Sequence, residues 1–282
     1  MIWAILGGAA CFLICFWFDR HAPLRSSVLL GARLLPNVVL SLLAFVAVTF
    51  FVQPAIRVSL GWSSEKQFGL LHLLDLSPTI SLVASFLWFD CSFYFWHRLN
   101  HMSPFFWRFH NVHHIDPELD ITTSFRFHFI EIALSSLFRA LQILIIGPTF
   151  VQYAVYEAAF QLETMFQHSN WRLPIEVERP LSKLLVTPRM HGIHHSEIRE
   201  ENRSNFSTVL SVWDRLFSTL RLNIPQSKVV IGVPAFAPGD NTVANAVKLP
   251  FEKQRDYWRR ADGTEALQRN ETIEGRRDRL AE

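Results

Sequence analysis

His97-Arg-Leu-Asn-His101, His110-Asn-Val-His113-His114 and, far along the chain, His191-Gly-Ile-His194-His195 decide how this sequence folds. They form one HxxxH box and two HxxHH boxes. Of the 12 histidines in 282 residues, eight lie in these boxes; His128 and His168 fall between them, and only His21 and His72 lie outside. On a helix, residues three and four apart share a face, so the first box aims two imidazoles one way and each of the others aims three. A neutral imidazole offers a nitrogen lone pair and is the commonest protein metal ligand, suited to iron, zinc, copper and nickel. Eight convergent rings exceed the four donors of a tetrahedral zinc site. The number suits two metals, each with three to five nitrogens. Three boxes at helical spacing beside apolar spans are hard to explain as ordinary packing histidines.

The composition around the boxes is that of a membrane protein with a wet face. Half of the residues are hydrophobic, 25 are Phe and 9 are Trp, and charged residues make up 18%, against about 25% in soluble domains. The net charge of +2 points to no nucleic-acid partner. The three cysteines, Cys11, Cys15 and Cys91, all sit in apolar stretches, which disfavours a disulfide framework or a thiolate metal site. No CxxC or GxGxxG-type motif appears.

Working outward, residues 2–18 are an apolar run just long enough to span a bilayer. A signal peptide is the competing reading, but the run lacks a basic start, and Asp19-Arg20-His21 stands where small residues would be expected. Arg20, Arg25 and Arg33 then make the following loop cytoplasmic and place the N-terminus outside. Residues 37–53 form a second span, with a turn expected at Pro54 and Gly61–Ser64. An interfacial helix is read at 68–75, and residues 78–96 return, so that the first box emerges on the cytoplasmic side. Residues 129–165 are apolar but carry Glu131, Arg139, Glu157 and Glu163, groups that are expensive at membrane depth and tend to face a protein interior. Two helices meeting near Gly147-Pro148 are expected there. A single crossing would strand His191 on the opposite side from His97, so a shared metal site requires an even number. The expected fold is all-α: a multi-pass membrane bundle of about four spanning or hairpin helices with a cytoplasmic, histidine-rich cap. Its expected divisions are an anchor region at 1–75, a catalytic domain at 76–225 and a charged cytoplasmic C-terminal tail at 226–282, read as a solvated helix over 250–282.

Residues 86–220 resemble the fatty acid hydroxylase and sterol desaturase superfamily of integral membrane oxygenases. The resemblance rests on Asp90-Cys-Ser-Phe-Tyr-Phe-Trp-His97-Arg-Leu-Asn-His101, on His110-Asn-Val-His113-His114 and on Thr187-Pro188-Arg-Met-His191-Gly-Ile-His194-His195. Phe166-Gln-His168-Ser-Asn170, Asn205-Phe and Trp213-Asp214-Arg-Leu-Phe217 extend it. It implies a four-helix membrane base, a cytoplasmic cap and a two-metal centre bound by histidines. It further implies dioxygen-dependent hydroxylation, desaturation or ether-bond oxidation of a lipid. The family often carries Arg-x-His-Pro-x-Glu where this chain has Arg126-Phe-His128-Phe-Ile-Glu131, with Phe129 in place of the proline.

The expected metal ligands are His97, His101, His110, His113, His114, His191, His194 and His195, joined by His168 and His128. Asp90, Glu131, Asn170 and Asp214 are expected behind them, as groups that accept a ring N–H or brace the site. Breaking an unactivated C–H bond needs an oxidant that side chains do not supply, which calls for two iron ions and dioxygen, with zinc a possible substitute. The chain has no flavin, nicotinamide or haem motif. A separate electron donor, a reductase with ferredoxin or a cytochrome, is therefore expected to dock on the cap. A chain this short, with no fused electron-transfer domain, favours a bacterial inner membrane over an endoplasmic reticulum. A zinc-dependent membrane lipid hydrolase and a non-catalytic metal-binding protein are the alternatives. Against the hydrolase, the glutamate of an HExxH motif is missing, with Asn111 and Gly192 in the box positions.

Overall fold

The computed structural model describes residues 2–26, 30–260, 262–264, 266 and 269. Among them the secondary structure is helical, with no strand beyond three isolated bridges. Helix α1 (Ile2–His21) has 20 residues, about 30 Å and so the thickness of a hydrocarbon layer. Helix α2 (Leu30–Ala47) runs through a π turn at Val48–Val52 straight into α3 (Gln53–Lys66).

This corrects the expected turn at Pro54 and Gly61–Ser64. Pro54 has no N–H to give, and it sits at the second residue of α3, directly after the π turn. The wider π turn, with the Gln53 N–H donating to the Val48 carbonyl, lets the helix pass the proline unbroken. The chain reverses only at Gln67 and Gly69, with φ 50° and 120°. Gly69 lies directly on Gly147, and a Cβ on either would strike the other's backbone, so both the conformation and the contact demand glycine. The expected interfacial helix shrinks to a single 3-10 turn at Leu70–His72.

Helix α4 (Pro78–Met102) is capped by the Ser77 hydroxyl, which accepts from the Ile80 N–H at 3.4 Å, and is followed at once by α5 (Pro104–His114). Helices α6 (Phe129–Ile146) and α7 (Phe150–His168) form the expected pair about Gly147-Pro148. Gly147 closes α6 in the left-handed region, and Thr149 opens α7 in a capping box with Gln152. Three helical stretches, Arg33–His72, Pro78–Met102 and Phe129–Ile146, are long and apolar enough to cross a membrane. Their shared core holds Val52, Ile56, Phe89, Ile143 and Tyr156. Leu35, Val46, Leu137, Leu141 and Val151 point outward, as lipid-facing side chains do.

The cap is built from short helices: α8 (Ile175–Leu181), α9 (Pro188–His194), α10 (Arg199–Asn202), α11 (Val212–Leu216) and α12 (Val243–Lys248). Polar ties hold the segment after α5 and the end of α7 to α1 and α2. Buried Arg33 pairs with Asp116 at 2.5 Å and Asp120 at 3.2 Å. Asp19 accepts from the backbone N–H groups of Ile121 at 3.0 Å and Asn170 at 2.6 Å. Arg20 at the end of α1, Arg25 just beyond it and Arg33 in the first turn of α2 therefore lie on the same face as the histidine boxes.

The described part of the C-terminal tail is not the solvated helix the charges suggested. Tyr257 and Trp258 pack on Trp107 of α5, with ring centroids 6.1 and 6.0 Å away, because two aromatic rings gain more from burial than the flanking charges lose. Residues 270–282 of that tail lie outside the described residues.

Candidate metal centre

Four elements converge where the bundle meets the cap. The last turns of α4 supply His97 and His101. Helix α5 supplies His110, His113 and His114. His168 ends α7, and α9 supplies His191 and His194, with His195 just beyond it. All nine are buried, the most exposed being His97 at 7%. Their ligand atoms fall into two groups, each with all atoms within 4.8 Å of one another: His97, His101, His110, His114 and His194; and His113, His168, His191 and His195. Each HxxHH box is split between the groups rather than aimed as a unit. The i and i+4 rings of a box go together, and the i+3 ring crosses to the other group.

Hydrogen bonds from behind fix the rings. A carbonyl or carboxylate only accepts, so each such bond places the proton on Nδ1 and leaves the Nε2 lone pair facing inward. His97 Nδ1 donates to the Phe206 carbonyl at 2.8 Å, His113 to Arg126 at 3.0 Å, His168 to Thr164 at 2.7 Å and His194 to Ser204 at 2.7 Å. His110 Nδ1 donates to the Glu131 carboxylate at 2.8 Å. His101 Nδ1 donates to the Asn202 side-chain oxygen at 2.9 Å, and the Asn202 amide nitrogen lies 3.3 Å from His114 Nδ1.

The inward nitrogens fit bound cations. His168 Nε2 is 3.1 Å from His113 Nε2 and 2.9 Å from His191 Nε2, and His195 Nε2 is 3.1 Å from His191 Nε2. Since His113 and His168 have their protons on Nδ1, two lone pairs face each other there, an arrangement that a shared cation relieves. In the first group the buried Nε2 atoms of His101, His110, His114 and His194 have no protein partner, although buried polar atoms are as a rule satisfied. Burial and neighbouring imidazoles hold His113, His114, His191 and His195 well below the usual histidine range, and burial brings His194 down to about 3. These rings are neutral at physiological pH, the state that binds metal.

The remaining expected residues separate. Glu131 touches His110 directly. Asp214 accepts from the N–H groups of Phe206 at 2.8 Å and Ser207 at 3.0 Å, fixing the carbonyl that orients His97. Asn170 brackets the Arg25 backbone at 2.9 and 2.8 Å, two residues beyond His168. Asp90 touches no imidazole. It accepts from Val209, Leu210 and the Trp213 indole at 3.2, 3.0 and 2.7 Å, tying α4 to the loop that carries Phe206.

His128 stands apart from both groups, against the expectation that it is a ligand. Its Nδ1 accepts from the Ile130 N–H at 3.2 Å, capping α6, and its Nε2 donates to the Val247 carbonyl at 3.3 Å. Both ring nitrogens are thus engaged by the backbone. Asn202 went unread because nothing in its spacing ties it to a box. Gly192 also went unread: a side chain there would collide with the Arg25 guanidinium.

A cavity of about 1540 Å³ leads from the histidines into the bundle. His97, His110, His113, His168 and His191 line one end, and Phe45, Val48, Val52, Ile56 and Phe160 line its apolar walls.

Residues 82–219 match the model of the fatty acid hydroxylase family. These residues belong to the fatty acid hydroxylase and sterol desaturase superfamily. The matched region contains every residue of both histidine groups. Among curated relatives, the chain is 29% identical over 150 residues to alkylglycerol monooxygenase of Homo sapiens, an overlap of 53% of this chain and 32% of that protein. It is 29% identical over 191 residues to ornithine lipid hydroxylase of Rhizobium tropici, covering 66% of this chain and 53% of the relative. A cholesterol 25-hydroxylase-like protein of Danio rerio is 28% identical over 147 residues, covering 49% and 55% respectively. The chain spans about a third to about half the length of these relatives. No solved structure matches it.

Proposed function

We propose that this protein is an integral membrane oxygenase that hydroxylates or desaturates a lipid with dioxygen at a pair of irons. The observation that carries the reading is the meeting of two buried all-imidazole groups with the inner end of an apolar, membrane-level cavity. The hydroxylase and monooxygenase names of the relatives support it. His97, His101, His110, His114 and His194 would hold one iron, and His113, His168, His191 and His195 the other. The chemistry such an iron pair supplies is reduction of dioxygen to an oxidant able to break an unactivated C–H bond. The chain does the rest. Backbone carbonyls, Glu131 and the Asn202 side-chain oxygen keep His97, His101, His110, His113, His168 and His194 in the ligating tautomer. The cavity walls admit hydrocarbon and exclude water from the reacting carbon. Neither group contains a carboxylate, which weighs against a binuclear zinc hydrolase with a bridging carboxylate.

The catalytic unit in this reading is residues 76–225, set on the membrane anchor of 1–75. Two electrons per turnover come from a separate donor docking on the cap. We place the protein in a bacterial inner membrane with the boxes facing the cytoplasm, following the arginine-rich loop beside them. The test is lipid profiling of cells with and without the protein, grown under labelled dioxygen. The expected result is a lipid carrying one labelled oxygen, or one new double bond, present only with the protein and only when reductant is available. Identical lipid profiles in the two cell lines would contradict the proposal.

A further inference from the structure

Along the cavity lies a polar cluster that metal binding does not use. Glu131, Ser135 and Arg139 lie at i, i+4 and i+8 on α6, and all three line the cavity. Glu131 holds His110; Arg139 is eight residues further into the bundle, about 12 Å along the helix. There Arg139 Nη1 donates to Glu157 Oε2 at 2.7 Å and to the Tyr153 hydroxyl at 3.1 Å, and Tyr153 donates to the same carboxylate oxygen at 3.1 Å. The guanidinium rests 5.6 and 5.5 Å from the ring centroids of Phe93 and Phe160. Both charged groups and the phenol border the cavity.

Fold stability does not account for this cluster. Ionisable groups at membrane depth are costly and mark substrate or ion paths, and the Glu157 side chain is 29% exposed while Arg139 is nearly buried, so the carboxylate is open to the cavity. We propose that Arg139, Tyr153 and Glu157 seat the hydroxyl of a neutral, long-bodied alcohol, which places hydrocarbon about 12 Å away at the histidines. The pair carries no net charge, so a carboxylate entering it would face Glu157 and an ammonium would face Arg139. A hydroxyl donates to the one and accepts from the other. A straight-chain alcohol and a sterol share this chemistry. The inference rests on the lipid-oxygenase reading and names its substrate class.

The test is binding, measured apart from turnover. Purified full-length protein in nanodiscs is photolabelled with a diazirine-bearing long-chain alcohol, with competition by the unlabelled alcohol, a sterol, the carboxylic acid, the methyl ether and the alkane. The alcohol or the sterol is expected to compete at least about tenfold better than the acid, ether and alkane, the size of about one hydrogen bond. Which of the two competes better distinguishes the straight-chain from the sterol source. The double variant Arg139→Met/Glu157→Leu is expected to lose labelling about tenfold while keeping its metal content, and Tyr153→Phe to lose severalfold. Tyr153→Phe and the competitor series decide the matter if the double variant does not fold. Equal competition by the acid or alkane overturns the proposal, as does undiminished labelling in a folded double variant. Preferential binding of alcohols without any oxidised product would sink the oxygenase reading and leave the seat standing. Oxidation of a lipid without that preference would sink the seat alone.

Discussion

Asn202 reaches two rings at once, His101 and His114, and both belong to the same histidine group. Removing such a support leaves both rings present but free to rotate. Asn202→Ala is therefore expected to weaken metal retention by about 10–100-fold, read as metal lost to a chelator over time; unchanged retention would show that Asn202 does not position these rings. No regular spacing links residue 202 to residues 101 and 114, so this role was invisible in the sequence. The boxes themselves were legible, because helical period ties their members together whatever the tertiary fold. His168 and His128 show the limit of that reading. Both lie outside the boxes, but His168 ends an apolar helix that enters the site, whereas His128 precedes one and is taken up as its cap. Position relative to a helix end, more than residue type, separates them.

At the level of elements, the loop at residues 206–213 works as a backstop for α4. Asp90 accepts from two of its backbone N–H groups and from Trp213, and that loop presents the Phe206 carbonyl to His97. Asp90→Ala leaves these buried donors unpaired, at about 1–3 kcal/mol for each. The expected outcome is a thermal midpoint in detergent several degrees below wild type, with metal content falling in parallel; an unshifted midpoint would remove Asp90 from this role. Sequence reading caught the α6–α7 hairpin because Gly147-Pro148 interrupts an apolar run with two residues that end helices. It misplaced the end of α3 because Pro54 and Gly61 look like the same punctuation. The π turn carries the helix past Pro54, and the tertiary contact of Gly69 with Gly147 marks where the chain turns back.

Across the whole molecule, the boxes and the arginine-bearing loop occupy one end of the bundle, and the turn at residues 67–77 occupies the other. Exposed Glu65 and Glu200 report on these two ends. In a background without Cys11, Cys15 and Cys91, a membrane-impermeant maleimide added to intact cells is expected to label Glu65→Cys. Glu200→Cys should react only after permeabilisation. The reverse pattern would put the histidines on the outer face and exclude a cytosolic electron donor. The all-helical architecture, with helices long enough to cross a membrane, was readable from apolar lengths. The grouping of nine rings into five and four was not, because the split within each box depends on which neighbouring helices approach it.

Iron content of the purified, reconstituted protein bears most directly on the paired-metal reading. Wild-type chain should hold two irons with nitrogen-dominated coordination by X-ray absorption. His113→Ala and His194→Ala, each removing a ligand from a different group, should lose iron and all lipid oxidation while still inserting in the membrane. A wild-type chain that binds no more than one metal, or either variant retaining both irons and full turnover, would contradict it.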